Sequence, residues 1–222
     1  MTVSGIKIVC RPNSVDEGIA HDTIVRDDYR IRQFARRGSL LVDVGAYAGH
    51  VSLLAASLGM RAVAIEPLPQ NVEAIRTNIK ANNFESRISV VHGAIGVDHL
   101  FWNDPATEII QHRFVANSSG SPNAESIRVP MVKLDTVIRE DIHILKTDCE
   151  GGEWLLGQEA VAQRATYIVG EFHTIDARVF ADFKTMFPNH IDMSEQYGIQ
   201  HVDGLRLFVF KRSETRHCRI RG

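Results

Sequence analysis

Leu40-Leu41-Val42-Asp43-Val44-Gly45-Ala46-Tyr47-Ala48-Gly49-His50 decides how this chain is read, because an apolar strand runs there into a helix through a turn bracketed by glycines. About twenty residues on, Val63-Ala64-Ile65-Glu66-Pro67 gives a second apolar strand whose carboxyl end carries one acidic side chain. A strand-helix-strand unit with those ends brings the turn and Glu66 to one crevice, the position where such folds hold nucleoside cofactors.

Outward from this unit the alternation continues. After the strand Leu40 to Val44, the pattern predicts a helix His50 to Leu58, a strand Ala62 to Ile65, a helix Pro69 to Asn82 and a strand Ile88 to His92. It resumes with a strand Ile142 to Lys146, a helix Glu153 to Arg164, a strand Tyr167 to Val169 and a helix Ala177 to Phe187. Strands Ile191 to Met193 and Leu205 to Phe210 then follow with no helix between them, which implies an antiparallel addition. The expected fold is therefore α/β, Rossmann-like and doubly wound, with a mostly parallel seven-stranded sheet and an antiparallel C-terminal strand.

With 222 residues, 44% of them apolar, the chain can fill one core of ordinary density. The expected organisation is an N-terminal cap over 1–38, a main domain over 39–212 with an insertion at about 97–128, and a tail over 213–222. In the cap, Ile6 to Val9 reads as a strand and Thr23 to Arg37 as a helix contributing Ile24, Tyr29, Ile31 and Phe34. The insertion sets Phe101, Trp102 and Phe114 among Asn, Ser, Pro and Gly, and reads either as a substrate-facing loop or as a hairpin on the sheet edge. A formal net charge of −2 offers no pull towards nucleic acid or anionic membranes. No apolar run is long enough to span a bilayer, and Met1 to Arg11 lacks a signal-peptide core, so the expected location is the cytoplasm. Cys10, Cys149 and Cys218 are too scattered for a disulfide framework and are expected to be reduced thiols.

The charges around the first turn narrow the ligand. A dinucleotide fingerprint needs a middle glycine where this chain has Tyr47, and no Gly-Lys-Ser/Thr follows to make a phosphate loop. Asp43 repels pyrophosphate but attracts an ammonium directly or through water, and the helix start at Gly49 offers backbone donors to a carboxylate. Glu66 supplies two acceptor oxygens, suited to ribose hydroxyls. Ammonium, carboxylate and ribose in one ligand describe S-adenosylmethionine. The alternative for Asp43 alone is a carboxylate that caps the turn.

Three stretches carry a family resemblance. Asp43-Val44-Gly45-Ala46 with Gly49, then Glu66-Pro67-x-Pro69-x-Asn71 with Asn78 and Asn82, and above all Lys146-Thr147-Asp148-Cys149-Glu150-Gly151-Gly152-Glu153 resemble the motifs of the FkbM family of class I S-adenosylmethionine-dependent methyltransferases. The third is specific to that family, whose signature there is Lys-Ile-Asp-Val-Glu-Gly-Ala-Glu. Likeness extends from about Ser39 to Phe210 and implies the class I methyltransferase fold and O-methylation of a hydroxyl on a small molecule or sugar. By resemblance the cofactor lies against Asp43, Gly45, Tyr47, Gly49, Glu66, Pro67 and Asp148, with Gly93 and Ala94 along the adenine edge. Tyr47 departs from the family, which has Asn after Gly-Ala. N-methylation, an inactive Rossmann-like binding module and a nicotinamide-dependent oxidoreductase are the alternatives; the missing middle glycine weakens the last.

A hydroxyl acceptor must lose a proton as it takes the methyl group, and Asp148, at the carboxyl end of a central strand, is the candidate for orienting or deprotonating it. Glu150 is a second candidate, its alternative being a helix cap or a partner of Lys146. Two close carboxylates raise one pKa towards neutrality. Glu153 belongs to the first helical turn, where its charge opposes the macrodipole. Glu171 and His173 end the next strand, and His173 is an alternative base. Asp148, Glu171 and His173 have ligand types that suit a divalent ion, yet their spacing is not diagnostic and the reading from sequence is a metal-free site. Cys149, between carboxylates, is not expected to act as a thiolate.

Overall fold

A computed structural model describes residues 1–96, 100–102, 127–149, 152–173, 180–199 and 205–213. Seven strands build the central sheet: β1 (Leu40–Val44), β2 (Arg61–Glu66), β3 (Ile88–His92), β4 (Ile144–Thr147), β5 (Tyr167–His173), β6 (His190–Asp192) and β7 (Leu205–Arg212). They lie in the order β6-β7-β5-β4-β1-β2-β3. β7 runs antiparallel to both neighbours, and the pairs from β5 through β4, β1 and β2 to β3 are parallel. The sheet is therefore the doubly wound, mostly parallel one that the strand pattern predicts. Its order reverses between β1 and β4, and the crevice beyond their carboxyl ends is where such sheets bind ligands.

Two helices, α1 (His50–Ser57) and α2 (Pro69–Asn82), follow β1 and β2. Because side chains alternate along a strand, Leu41 of β1 joins Val51, Leu54, Ile75 and Ile79 in one core, while Leu40, Val42 and Val44 join Trp154, Phe183 and Phe208 in another. Asp43 and Lys146 share the first of these faces and are direct partners in the β1–β4 register. That pairing sets an anion beside a cation inside the sheet.

The N-terminal segment differs from its sequence reading. The strand read over Ile6 to Val9 is shorter, Ile6–Lys7, and pairs with Thr2–Val3. The helical stretch begins at Asp16–Ala20, runs into a wider turn at His21–Arg26, breaks, and resumes at Ile31–Phe34. Asp27 and Arg30 adopt left-handed backbone at the break, and the Asp27 carboxylate accepts the amides of Ile31 (2.7 Å) and Arg32 (3.0 Å). Ile24, Ile31 and Phe34 bury themselves in the core that contains α1, so α1 is buried on nearly every face because it is covered from both sides.

Downstream, the single helix expected over Glu153 to Arg164 is two short ones, α3 (Glu153–Leu156) and α4 (Ala160–Gln163). Asp135 explains the interruption, since its carboxylate accepts the amides of Ala160 (2.9 Å) and Val161 (2.6 Å) and so caps α4 from another segment. The last helix, α5 (Phe180–Thr185), places Phe180 and Phe183 against Phe172, Phe208 and Phe210. Leu100–Trp102 and Ile127–Val129 pair antiparallel, as in the hairpin alternative for the insertion; Phe114 lies outside the described residues. Among the described residues no helix is long and apolar enough to cross a membrane.

Candidate active site

Gly45 turns the chain sharply off β1 with φ +73°, and a Cβ there would stand 1.8 Å from the backbone oxygen of Asp148. Only glycine lets the first turn touch the end of β4 this closely. The amides of Gly45 and Ala46 both donate to Ile65 O (3.0 and 3.2 Å), which ties the same turn to β2. Gly49, also left-handed, caps α1.

Glu66 closes the turn from the other side. Its Oε2 accepts the Tyr47 amide (2.9 Å), and its Oε1 accepts the Leu68 amide (3.0 Å) and Asn71 Nδ2 (3.1 Å). Burial outweighs these bonds and pushes its pKa up to about 7. A carboxylate offers about four lone-pair positions. Three are in use by bonds from within the protein. Pro67 O receives His92 Nε2 (3.0 Å), and the Gly93 amide donates to Glu66 O (3.0 Å), so Pro67, Gly93 and Ala94 continue this rim along the ends of β2 and β3.

Asp43 is fully buried. Its carboxylate lies 3.2 Å from Lys146 Nζ and accepts Ser52 Oγ (2.8 Å), so a direct contact with a ligand ammonium does not fit its position. Lys146 also donates to Gly45 O (2.7 Å), joining the buried pair to the turn. Burial lowers the ammonium pKa, but Asp43 and Asp148 more than offset it and hold Lys146 charged.

The position at which the chain departs from the family also has a structural account. Tyr47 Oη donates to Asp16 Oδ1 (2.6 Å), and the Arg11 guanidinium stands over its ring, 4.8 Å from the centroid. Arg11 grips Asp16 with Nε (3.0 Å) and Nη2 (2.7 Å) and reaches Asn71 Oδ1 with Nη1 (2.6 Å). Against the opposing effect of burial, hydrogen bonds from Arg11 and Tyr47 keep Asp16 well below the usual carboxylate range. Asn78 Oδ1 accepts the Val9 amide (2.8 Å), and Asn82 bonds both backbone groups of Lys7 (2.8 and 2.7 Å). The asparagines of the second motif thus moor the N-terminal segment to α2, and that segment carries Arg11 and Asp16 to the pocket.

At the end of β4, Asp148 Oδ2 accepts the Tyr29 hydroxyl (2.8 Å) and lies 3.9 Å from Lys146 Nζ. Its Oδ1 faces His173 Nε2 at 4.0 Å. His173 Nδ1 is 3.0 Å from Glu153 Oε1, which also accepts the Cys149 amide (3.0 Å). Burial, reinforced by Glu153, raises the Cys149 thiol well above its ordinary pKa and keeps it protonated. Burial and the Asp148 charge likewise raise Tyr29, so its hydroxyl is a donor. Asp148, Glu171 and His173 therefore come together, as do Asp43, Gly45, Tyr47, Gly49 and Glu66; Glu150 lies outside the described residues. Asp148 links the two groups through its backbone contact with Gly45. Tyr29, Arg11 and Asp16 carry no motif spacing, whereas Lys146 was legible as a lone charge in an apolar strand.

A family model described as the methyltransferase FkbM domain matches residues 43–200. Among solved structures, a proposed rRNA methylase from Clostridium thermocellum is similar with a TM-score of 0.54 at 11% identity, covering 86% of this chain and 96% of that one. A proposed transferase from Pyrococcus horikoshii gives a TM-score of 0.52 at 16% identity, covering 96% of this chain and 71% of that one. Both likenesses concern the fold. No curated protein matches the sequence.

Proposed function

The chain belongs to the FkbM methyltransferase family, and from that premise we propose that it methylates a hydroxyl of a small molecule or sugar with S-adenosylmethionine as donor. The observation that supports this reading is the close approach of the Gly45 turn to the backbone oxygen of Asp148 at the end of β4. In the reaction the acceptor oxygen attacks the methyl carbon, the carbon–sulfur bond breaks and its electron pair stays on sulfur as a neutral thioether. Asp148 receives the hydroxyl proton. Tyr29 and Lys146, at one of its oxygens, fix its orientation, and alignment of oxygen, carbon and sulfur supplies the rest of the rate. The slightly acidic chain favours such an acceptor over RNA, whose binding relies on an excess of Lys and Arg.

A thermal-shift panel tests the cofactor. S-adenosylmethionine and S-adenosylhomocysteine should each stabilise the protein, and NAD should not; no shift with either methyl-cycle ligand would sink the reading.

Glu66 adds a pH signature. Its folded pKa, about 7, is above the ordinary 4.5, so the folded state binds this proton more tightly than the unfolded chain. That contribution to stability is complete below pH 4.5 and is lost as the pH rises through 7. Glu66→Gln should therefore gain melting temperature relative to the parent as pH increases across this window. A constant difference between the two would show that Glu66 is not the titrating group.

A further inference from the structure

A closed ring of hydrogen bonds joins the first turn, the second motif and the N-terminal segment. Tyr47 donates its amide to Glu66 Oε2 (2.9 Å) and its hydroxyl to Asp16 Oδ1 (2.6 Å). Arg11 holds Asp16 with Nε and Nη2 and gives its third nitrogen to Asn71 Oδ1 (2.6 Å). Asn71 Nδ2 then returns to Glu66 Oε1 (3.1 Å). We propose that Arg11 is a positioning residue for Glu66, fixing the Asn71 amide so that it presents an N–H to the carboxylate that is to accept the cofactor's ribose. The ribose role rests on the methyl-transfer reading; the hold on Glu66 does not.

The chemistry of an amide side chain carries the argument. Asn71 has one face that accepts and one that donates, whereas a guanidinium can only donate. Arg11 therefore selects Oδ1 and leaves Nδ2 for Glu66. A donor directed at a carboxylate favours its charged form. Without Arg11, Asn71 is able to turn its oxygen towards Glu66, an arrangement that suits only the protonated acid. Arg11 is itself held in place: Asp16, fully buried, takes two of its side-chain nitrogens and its backbone amide (2.8 Å). The other arm of the ring, from Asp16 through Tyr47, secures the second oxygen of the same carboxylate, and linked bonds of this kind reinforce one another.

Glu66 is a residue for which such a choice has consequences. With a pKa of about 7, both of its forms are accessible near neutrality; burial raises it, against its three bonds and the charge of Lys146. His92, its partner in the β2–β3 register, is bonded to Pro67 O (3.0 Å). His50, close to Asp16 and Arg11, is pushed down to about 4 by burial and stays neutral over this range. Arg11 is the member of the surroundings that reaches the carboxylate from the N-terminal segment, 60 residues from Asn71.

Two variants test the proposal without changing net charge. Arg11→Lys keeps the cation but offers one nitrogen where the guanidinium offers three, so it cannot hold Asp16 and Asn71 together. Arg11→Met combined with Asp16→Asn removes one charge of each sign and leaves an oxygen for the Tyr47 hydroxyl. The full chain, labelled with carbon-13 at the glutamate carboxyls, is titrated by nuclear magnetic resonance, and Glu66 is identified by the signal missing in Glu66→Gln. Its midpoint should rise by about one pH unit in both variants, the effect of weakening one hydrogen bond to a charged group. An unmoved midpoint in a variant whose remaining spectrum is native would overturn the proposal, even where the melting temperature falls. Arg11→Lys, the milder change, decides the matter if the double variant does not fold.

Titration of S-adenosylhomocysteine into the same samples tests the use of the ionised carboxylate. The variants should bind it about fivefold more weakly than the parent at pH 7, and nearly equally at pH 9, where Glu66 is ionised in all of them. No binding to the parent refutes only the cofactor reading, since the carboxyl midpoint is measured without ligand. Normal binding with an unmoved midpoint refutes only the role of Arg11.

Discussion

Asp148→Asn should reduce methyl transfer by about 10²- to 10⁴-fold while leaving cofactor affinity nearly unchanged. The substitution keeps the size of the side chain and an oxygen for the Tyr29 hydroxyl, but it removes the negative charge proposed to take the acceptor's proton. The backbone oxygen of Asp148, which meets the Gly45 turn, is left in place by the substitution. Initial rates with a labelled methyl donor, together with titration of S-adenosylhomocysteine, separate the two effects. Lost cofactor affinity with normal turnover would move Asp148 from proton acceptor to cofactor wall.

The second large effect concerns stability. Lys146→Met should cost about 3–5 kcal/mol in urea unfolding, because it leaves Asp43 ionised and without a counter-charge inside the sheet. Lys146 and Asp43 are 3.2 Å apart and at most a few per cent exposed, so water cannot replace the missing ammonium. The hydroxyl of Ser52 remains, and it is a weak substitute for a cation. Adding Asp43→Asn to Lys146→Met should recover much of the loss, since the buried charge is then gone as well. A single-variant cost below about 1 kcal/mol would mean that Asp43 takes up a proton and the pair contributes little.

The main sheet was legible because its signals are local. β1, β3 and α2 fall at the residues that the alternating apolar pattern predicts, and two closing strand runs with no helical pattern between them announced the antiparallel end. The helix after β4 was misread as continuous because its interruption is imposed by Asp135, which is distant in sequence. Within the pocket, Gly45 and Glu66 could be located from spacing, but the three bonds that Glu66 already accepts could not. Asp43 announced a charge without announcing that Lys146, across the parallel register, would neutralise it. Tyr29 looked like a helical contact residue. It instead reaches a strand end 119 residues away, a pairing that no periodicity encodes.

Arg11, Asp16 and Tyr47 invite a comparison across lineages. The phenol of Tyr47 is useful only while Asp16 receives it, and Asp16 tolerates its burial only while Arg11 grips it. In a relative with Asn in the first motif there is no phenol to satisfy Asp16, so the three positions should change together, as one inherited unit spread over two ends of an alignment. Read alone, Tyr47 is a lapse from the first motif; read with positions 11 and 16 it is one member of a bonded unit that ties the turn to the N-terminal segment.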